Sequence, residues 1–195
     1  MSNIAQFRIK ILTKLNDPNG DRFSDDQLDS ALRDALQEYD TMRPYALVGD
    51  ILANGERDLP VTTITDDITL IFRAIWHDGS QEGDNLAFYA TKQDDIWHLE
   101  LNKDVPSGDT IALHYTRPHT IEDLDSATET TVWDEDLLSI GAAGFALLAR
   151  SVLLAEENNL NTGTSKRLED SGNKKLSIFR AQFSEKSGSG FATWS

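Results

Sequence analysis

The sequence predicts an α+β protein: a mainly helical bundle, with two N-terminal and two C-terminal helices, into which a small antiparallel β subdomain is inserted. Three observations carry this. Apolar residues recur at helical spacing as far as Arg43-Pro44, alternate with a period of two over 46–118, and return to a dense helical run over 134–158. Turn signals at Asn54-Gly55, Asp78-Gly79 and Pro106-Ser107-Gly108-Asp109 punctuate the alternating stretch. A chain of 195 residues that is 39% hydrophobic is long enough to bury a core of its own. The expected segments are a helical pair at 1–45, the β subdomain at 46–118, an acidic connector at 119–133, a second helical pair at 134–186 and a Gly/Ser-rich arm at 187–195.

In chain order, Ile4, Phe7, Ile11, Leu12 and Leu15 make one apolar face of a first helix. An Asx-rich break follows, from Asn16 to Asp21. Ser24 then caps a second helix with Gln27 in the reciprocal capping position, and Leu28, Ala31, Leu32, Ala35, Leu36 and Tyr39 repeat on one stripe. Arg43-Pro44 ends it, because the residue before a proline is pushed out of helical dihedrals. Strands are expected at 48–52, 58–61, 68–76, 85–91, 96–101 and 110–116. In the fifth, Trp97, Leu99 and Leu101 alternate with Ile96, His98 and Glu100, so one face is buried and the other wet. The connector TIEDLDSATETT, 120–131, shows no fold of its own.

The helix over 134–158 carries apolar residues on every side, which predicts a helix covered all round by protein. Asp134 is its expected N-cap, and Trp133 can staple onto Leu138. Gly141-Ala142-Ala143-Gly144 weakens helix propensity but lets a neighbouring backbone come close. The uncharged run 137–149 is short of the roughly 20 residues that cross a bilayer, so a core helix is expected and no membrane partner. A last helix, 165–185, sets Leu168, Gly172, Leu176, Phe179 and Phe183 on one face and the basic cluster Lys166-Arg167 and Lys174-Lys175 on the other, and Gly172, which interrupts it, is a place where it can bend.

Thirty-three acids against eighteen Lys and Arg give a formal charge of −15, which argues against gripping phosphate backbones. There is no cysteine, hence no disulfide, thiolate metal site or cysteine nucleophile. Met1-Ser2-Asn3-Ile4 leads directly into an amphipathic segment, so an intracellular chain without a leader is expected.

Chemistry-bearing motifs are sparse. Asp17, Asn19 and Asp21 match the first oxygen positions of a calcium loop, but the glycine sits too early and Leu28 stands where a bidentate Glu belongs. An Asx-rich turn is the favoured reading, and no metal or other cofactor is expected. His77, His98, His114 and His119 lack metal-binding spacing, and no nucleophile elbow or phosphate loop is found. The paired acids Asp66-Asp67 and Asp94-Asp95 fall at turns. Arg150 interrupts the apolar helix and needs a carboxylate partner or a route to water. Phe191 and Trp194, beyond the Gly/Ser spacer, suit a partner-docking arm, since aromatic residues are favoured interface anchors.

The layout resembles the head-to-tail connector (adaptor) proteins of tailed bacteriophages. The resemblance rests on Leu12, Leu15-Asn16-Asp17-Pro18-Asn19-Gly20-Asp21-Arg22-Phe23-Ser24, the Ala-rich helix from Leu28 to Tyr39 and Arg43-Pro44. The β insertion, its exit through Tyr115 and Pro118, and the small-residue-rich helix followed by a last helix extend it. It implies a structural virion protein rather than an enzyme, assembled in the host cytoplasm and placed in the neck. It further implies a dodecameric ring beneath the portal, monomeric when isolated, joined to a downstream neck or tail protein and passing double-stranded DNA through its lumen. In that setting Gly141, Ala142 and Gly144 are assigned to packing between copies, Phe191 and Trp194 to the portal, and the β insertion to an outer or tail-facing contact. A ring of that size would carry a formal charge on the order of −180, which repels DNA where the acids line the channel. The competing expectations are a carbohydrate-binding or adhesion module and, behind it, a small metal-independent enzyme.

Overall fold

The computed structural model describes residues 3–64, 67–77, 83–125, 132, 134–157 and 162–187. The chain divides into a helical unit, Met1–Arg43 with His119–Ser195, and a β unit, Pro44–Pro118. The architecture is the α+β arrangement expected: two N-terminal helices, antiparallel sheets inserted in the chain, and two C-terminal helices that pack together.

In the helical unit, α1 (Ile4–Lys14) opens on a capping box in which Asn3 and Gln6 exchange hydrogen bonds of 2.9 and 3.1 Å. Phe7 and Ile11 are fully buried, and Ile4 and Leu12 are partly so. Helix α2 (Asp25–Met42) opens on the Ser24–Gln27 capping box, and all six residues of its apolar stripe are buried. Each cap satisfies N–H groups that the first helical turn leaves without an intrahelical acceptor. The bidentate Arg8–Asp29 pair joins α1 to α2 at 2.7 and 2.8 Å, with Asp25 a third partner at 2.6 Å.

Helix α3 (Glu135–Glu157) starts where Asp134 accepts the Leu137 N–H at 2.9 Å. The expected staple from Trp133 lies outside the described residues. Helix α4 (Thr162–Ser187) runs back along α3 and is continuous through Gly172. By length and composition α3 could cross a membrane, yet α1, α2 and α4 pack around it as around a core helix. The cover is incomplete, however: Val152 and Leu153 are 55% and 42% exposed, because the flanking helices do not enclose its C-terminal turns.

The connector is partly folded, against expectation. Thr120 and Asp123 exchange hydrogen bonds around a single 3-10 turn, Glu122–Leu124, and Ile121 and Leu124 are buried in the helical core. Its two apolar residues outweigh the acidic majority around them.

The β unit is a sandwich of two antiparallel sheets around one core. β1 (Tyr45–Leu52), β7 (Thr110–Arg117), β3 (Leu70–His77) and β4 (Asp84–Leu86) form one sheet in that order. β2 (Asp58–Val61), β6 (Ile96–Leu101) and β5 (Phe88–Gln93) form the other. Ile51, Ile71, Ile111 and Leu113 of the first sheet meet Leu59, Val61, Leu99 and Leu101 of the second. The stretch expected as one strand at 85–91 is two, since the chain changes sheets at Ala87. Alternation is a local property that survives such a corner, so it cannot register it. Asp94 and Asp95 both have positive φ, 49° and 65°, and close the tight β5–β6 hairpin.

Candidate functional site

Two different faces of α3 offer the features closest to an interaction site. On the first, a Cβ added to Gly141 would lie 3.0 Å from the Phe179 ring, and one added to Gly144 would lie 2.9 Å from Leu176. Gly172 is the reciprocal contact: its Cβ would meet the Gly144 carbonyl oxygen at 2.9 Å and Leu148 at 3.0 Å. Ala142 is fully buried in the same helical core. These residues, assigned above to packing between copies, are therefore covered within the chain. The close approach that the glycines permit is made by α4, whose narrow buried stripe sets Phe179 against Gly141, Leu176 against Gly144 and Gly172 against Leu148. Ser165 adds a hydrogen bond of 2.8 Å to the Ser151 carbonyl at the far end of the seam.

The other face of α3 lies about 110° away by helical geometry. Here Phe145, Ala149 and Leu153 join Phe23, Ala31 and Asp34 in lining a hollow of about 110 Å³. Arg150 stands at its edge. It donates to the Arg22 carbonyl, and its guanidinium lies 5.4 Å from the centroid of the Phe23 ring. Of the two expectations for Arg150, a carboxylate partner or a route to water, the structure fits the second: its guanidinium reaches an exposed hydrogen bond at the rim and packs on an aromatic face. The hollow was not visible in the sequence, where Leu153 reads as one more core leucine. The available signal was the Phe145, Ala149, Leu153 spacing of i, i+4, i+8, a stripe with a small residue at its centre.

The calcium candidates do not converge. Asp17 is buried and turns inward, accepting the Arg22 N–H at 3.0 Å, while Asn19 and Asp21 are exposed or nearly so. Gly20, with φ of 71°, completes that turn. Among the described residues no three His, Asp or Glu side chains are grouped so as to hold a metal ion. The histidines are scattered. His98 pairs with Asp58 at 3.0 Å, and His114 lies beside Phe72, its pKa pushed down by burial and then by Arg73. His119 is buried in the helical unit, where its backbone N–H and Nδ1 both engage Asp40, with Tyr39 edge-on at 5.4 Å. Phe191 and Trp194 lie outside the described residues, as does most of the acidic loop between β3 and β4.

In the β unit, the outward face of the four-stranded sheet exposes Val48, Leu52, Leu70 and Phe72, each by 44% or more. Phe72 falls at a bulge between β3 and β7, where an extra residue re-aims a side chain. On the three-stranded sheet Tyr89 is 67% exposed, opposite Glu100. The Trp76 and Trp97 indole N–H groups are satisfied internally, by Asp109 at 2.9 Å and the Ile68 carbonyl at 3.1 Å. Compared with known proteins, the chain matches no family model and no curated protein.

Proposed function

We propose that this chain is a structural head-to-tail connector of a tailed bacteriophage. It forms a ring beneath the portal, joins capsid to neck or tail, and passes double-stranded DNA without binding it. The observation that carries this reading is the order of parts: a capped helical pair, an inserted antiparallel β unit, and a closely seamed second helical pair built on one apolar helix. The acidic composition supports it, since a lumen sharing the sign of DNA repels it within roughly 8 Å of the wall at physiological salt. On this reading the arm with Phe191 and Trp194 grips the portal, and the β unit makes the outer or tail-facing contact, for which its exposed Val48, Leu52, Leu70 and Phe72 are suited. The test is a density map of the particle neck: a ring of this chain directly beneath the portal is expected, and its absence from the neck refutes the reading. Deleting 187–195 should leave the fold intact and abolish portal binding.

One observation favours a second reading. Tyr89 stands on a wet sheet face beside Glu100, the kind of flat aromatic and carboxylate pair that sugar-binding surfaces use. A glycan array probed with the chain and with Tyr89→Ala separates the two, since a connector binds no glycan.

A further inference from the structure

We infer that neighbouring copies in the ring join head to tail, the outer face of α4 on one copy seating in the α2/α3 hollow of the next. This rests on the connector reading and deepens it by naming the contact. A ring needs a heterologous interface, in which two different patches of the protomer complement each other. The glycine seam that sequence reading gave to this role is closed inside the chain, so the contact lies elsewhere.

The two patches fit in position, shape and charge. The hollow and α4 lie on different faces of α3, about 110° apart, so one copy can present both patches at once. Among the described residues of α4, Leu168, Gly172, Leu176 and Phe179 are packed inward and Ser165 bonds to α3, while Arg167, Lys174 and Ile178 lie off that stripe and are exposed. Ile178, 38% exposed, is the one large apolar residue on that outer face among the described residues. An apolar cavity of about 150 Å³ holds benzene, so a hollow of about 110 Å³ suits one branched aliphatic side chain. Lys174 is one helical turn from Ile178, just as exposed Asp34 on α2 is one turn from Ser30 at the same hollow. Arg150, the cation at the rim, is held by the Arg22 carbonyl and the Phe23 ring, which leaves Asp34 to meet Lys174.

The absence of cysteine makes the test direct. Full-length Ala149→Cys and Ile178→Cys variants, both at exposed positions, are made singly, mixed in equal amounts with portal-bearing particles on which the ring assembles, and oxidised. The mixed 149–178 dimer is expected to dominate over either self-pair by at least tenfold, and the double variant should give a ladder of higher oligomers. Asp34→Lys or Lys174→Glu alone should suppress the mixed dimer, and the two variants together should restore it. Self-pairs forming as readily as the mixed dimer, or no mixed dimer at all, overturn the proposal. Native mass measurement of the unmodified chain with portal separates the two levels: a closed ring without the mixed dimer sinks this contact and leaves the connector reading standing. A chain that neither crosslinks nor enters a ring on portal-bearing particles sinks both.

Discussion

Gly172→Ala tests the seam on which the helical unit is built. In an isolated helix the change would stabilise, by about 1 kcal/mol, because alanine loses less backbone freedom. Here the new Cβ would sit 2.9 Å from the Gly144 carbonyl oxygen and 3.0 Å from Leu148. Leu148 can rotate, but the carbonyl belongs to the α3 hydrogen-bond ladder and cannot swing aside. The helices must therefore separate, loosening Leu176 and Phe179, which are 3% and 0% exposed. Overpacking of this kind costs about 1–3 kcal/mol, and a backbone obstacle puts the net loss near the upper end, about 2 kcal/mol. For a chain of this length that lowers Tm by about 4–8 °C. Gly163→Ala is the internal control, since nothing lies within 4 Å of its added Cβ. Thermal unfolding followed by helical circular dichroism reads both. A Gly172→Ala protein as stable as the Gly163→Ala protein would refute the claim that α3 and α4 meet backbone to backbone.

Three further outcomes are expected. Ser24→Ala removes the acceptor of the Gln27 N–H and should cost about 1 kcal/mol in urea unfolding, whereas Ser24→Asp should restore most of it. Asp29 is held below the usual carboxylate range by its hydrogen bonds to Arg8, so it contributes stability above the unfolded pKa of about 4 that is lost as pH falls through its lower folded value. Asp29→Asn should therefore be less stable than the parent at pH 7 and flatten the acid limb of a stability–pH curve. Asp40→Ala removes the contacts that the Asp40 carboxylate makes to the His119 backbone N–H and Nδ1 and should cost about 1–3 kcal/mol, read by urea unfolding.

The helices were legible because one stripe and one cap suffice to specify an amphipathic helix. Leu28 to Tyr39 and the Ser24–Gln27 box needed no knowledge of what they packed against. The β unit was legible as alternation, but the change of sheet at Ala87 was not, because the inward and outward pattern continues across it. The small residues of α3 announced a close contact without naming its partner. Gly172, the other half, lies 28 residues away and reads alone as a helix breaker. Exposed apolar surfaces were the least legible: Leu153 and Val152 count as core leucine and valine until the ends of α1, α2 and α4 are placed. In the same way, Phe72 is an inward strand residue until a bulge turns it.

Charge adds a constraint that composition alone does not contain. Acids outnumber bases in both units, so net sign does not decide which surface faces a polyanion. What differs is where the cations are free to act. On α1 they are engaged, Arg8 by Asp25 and Asp29, Lys10 by Glu135 and Lys14 by Asp136. On α4, Arg167 and Lys174 stand exposed on the stripe that faces away from α3. In a connector that stripe cannot line the lumen, because each such cation would exchange counterions with the DNA backbone and hold it. Placing it between copies removes the conflict, and it makes assembly salt-sensitive where the α3–α4 seam is not. Raising salt from 0.05 to 0.5 M should weaken association between copies while leaving helical-unit stability nearly unchanged; equal loss of both would mean that the two contacts share one electrostatic origin, which the buried apolar seam does not allow.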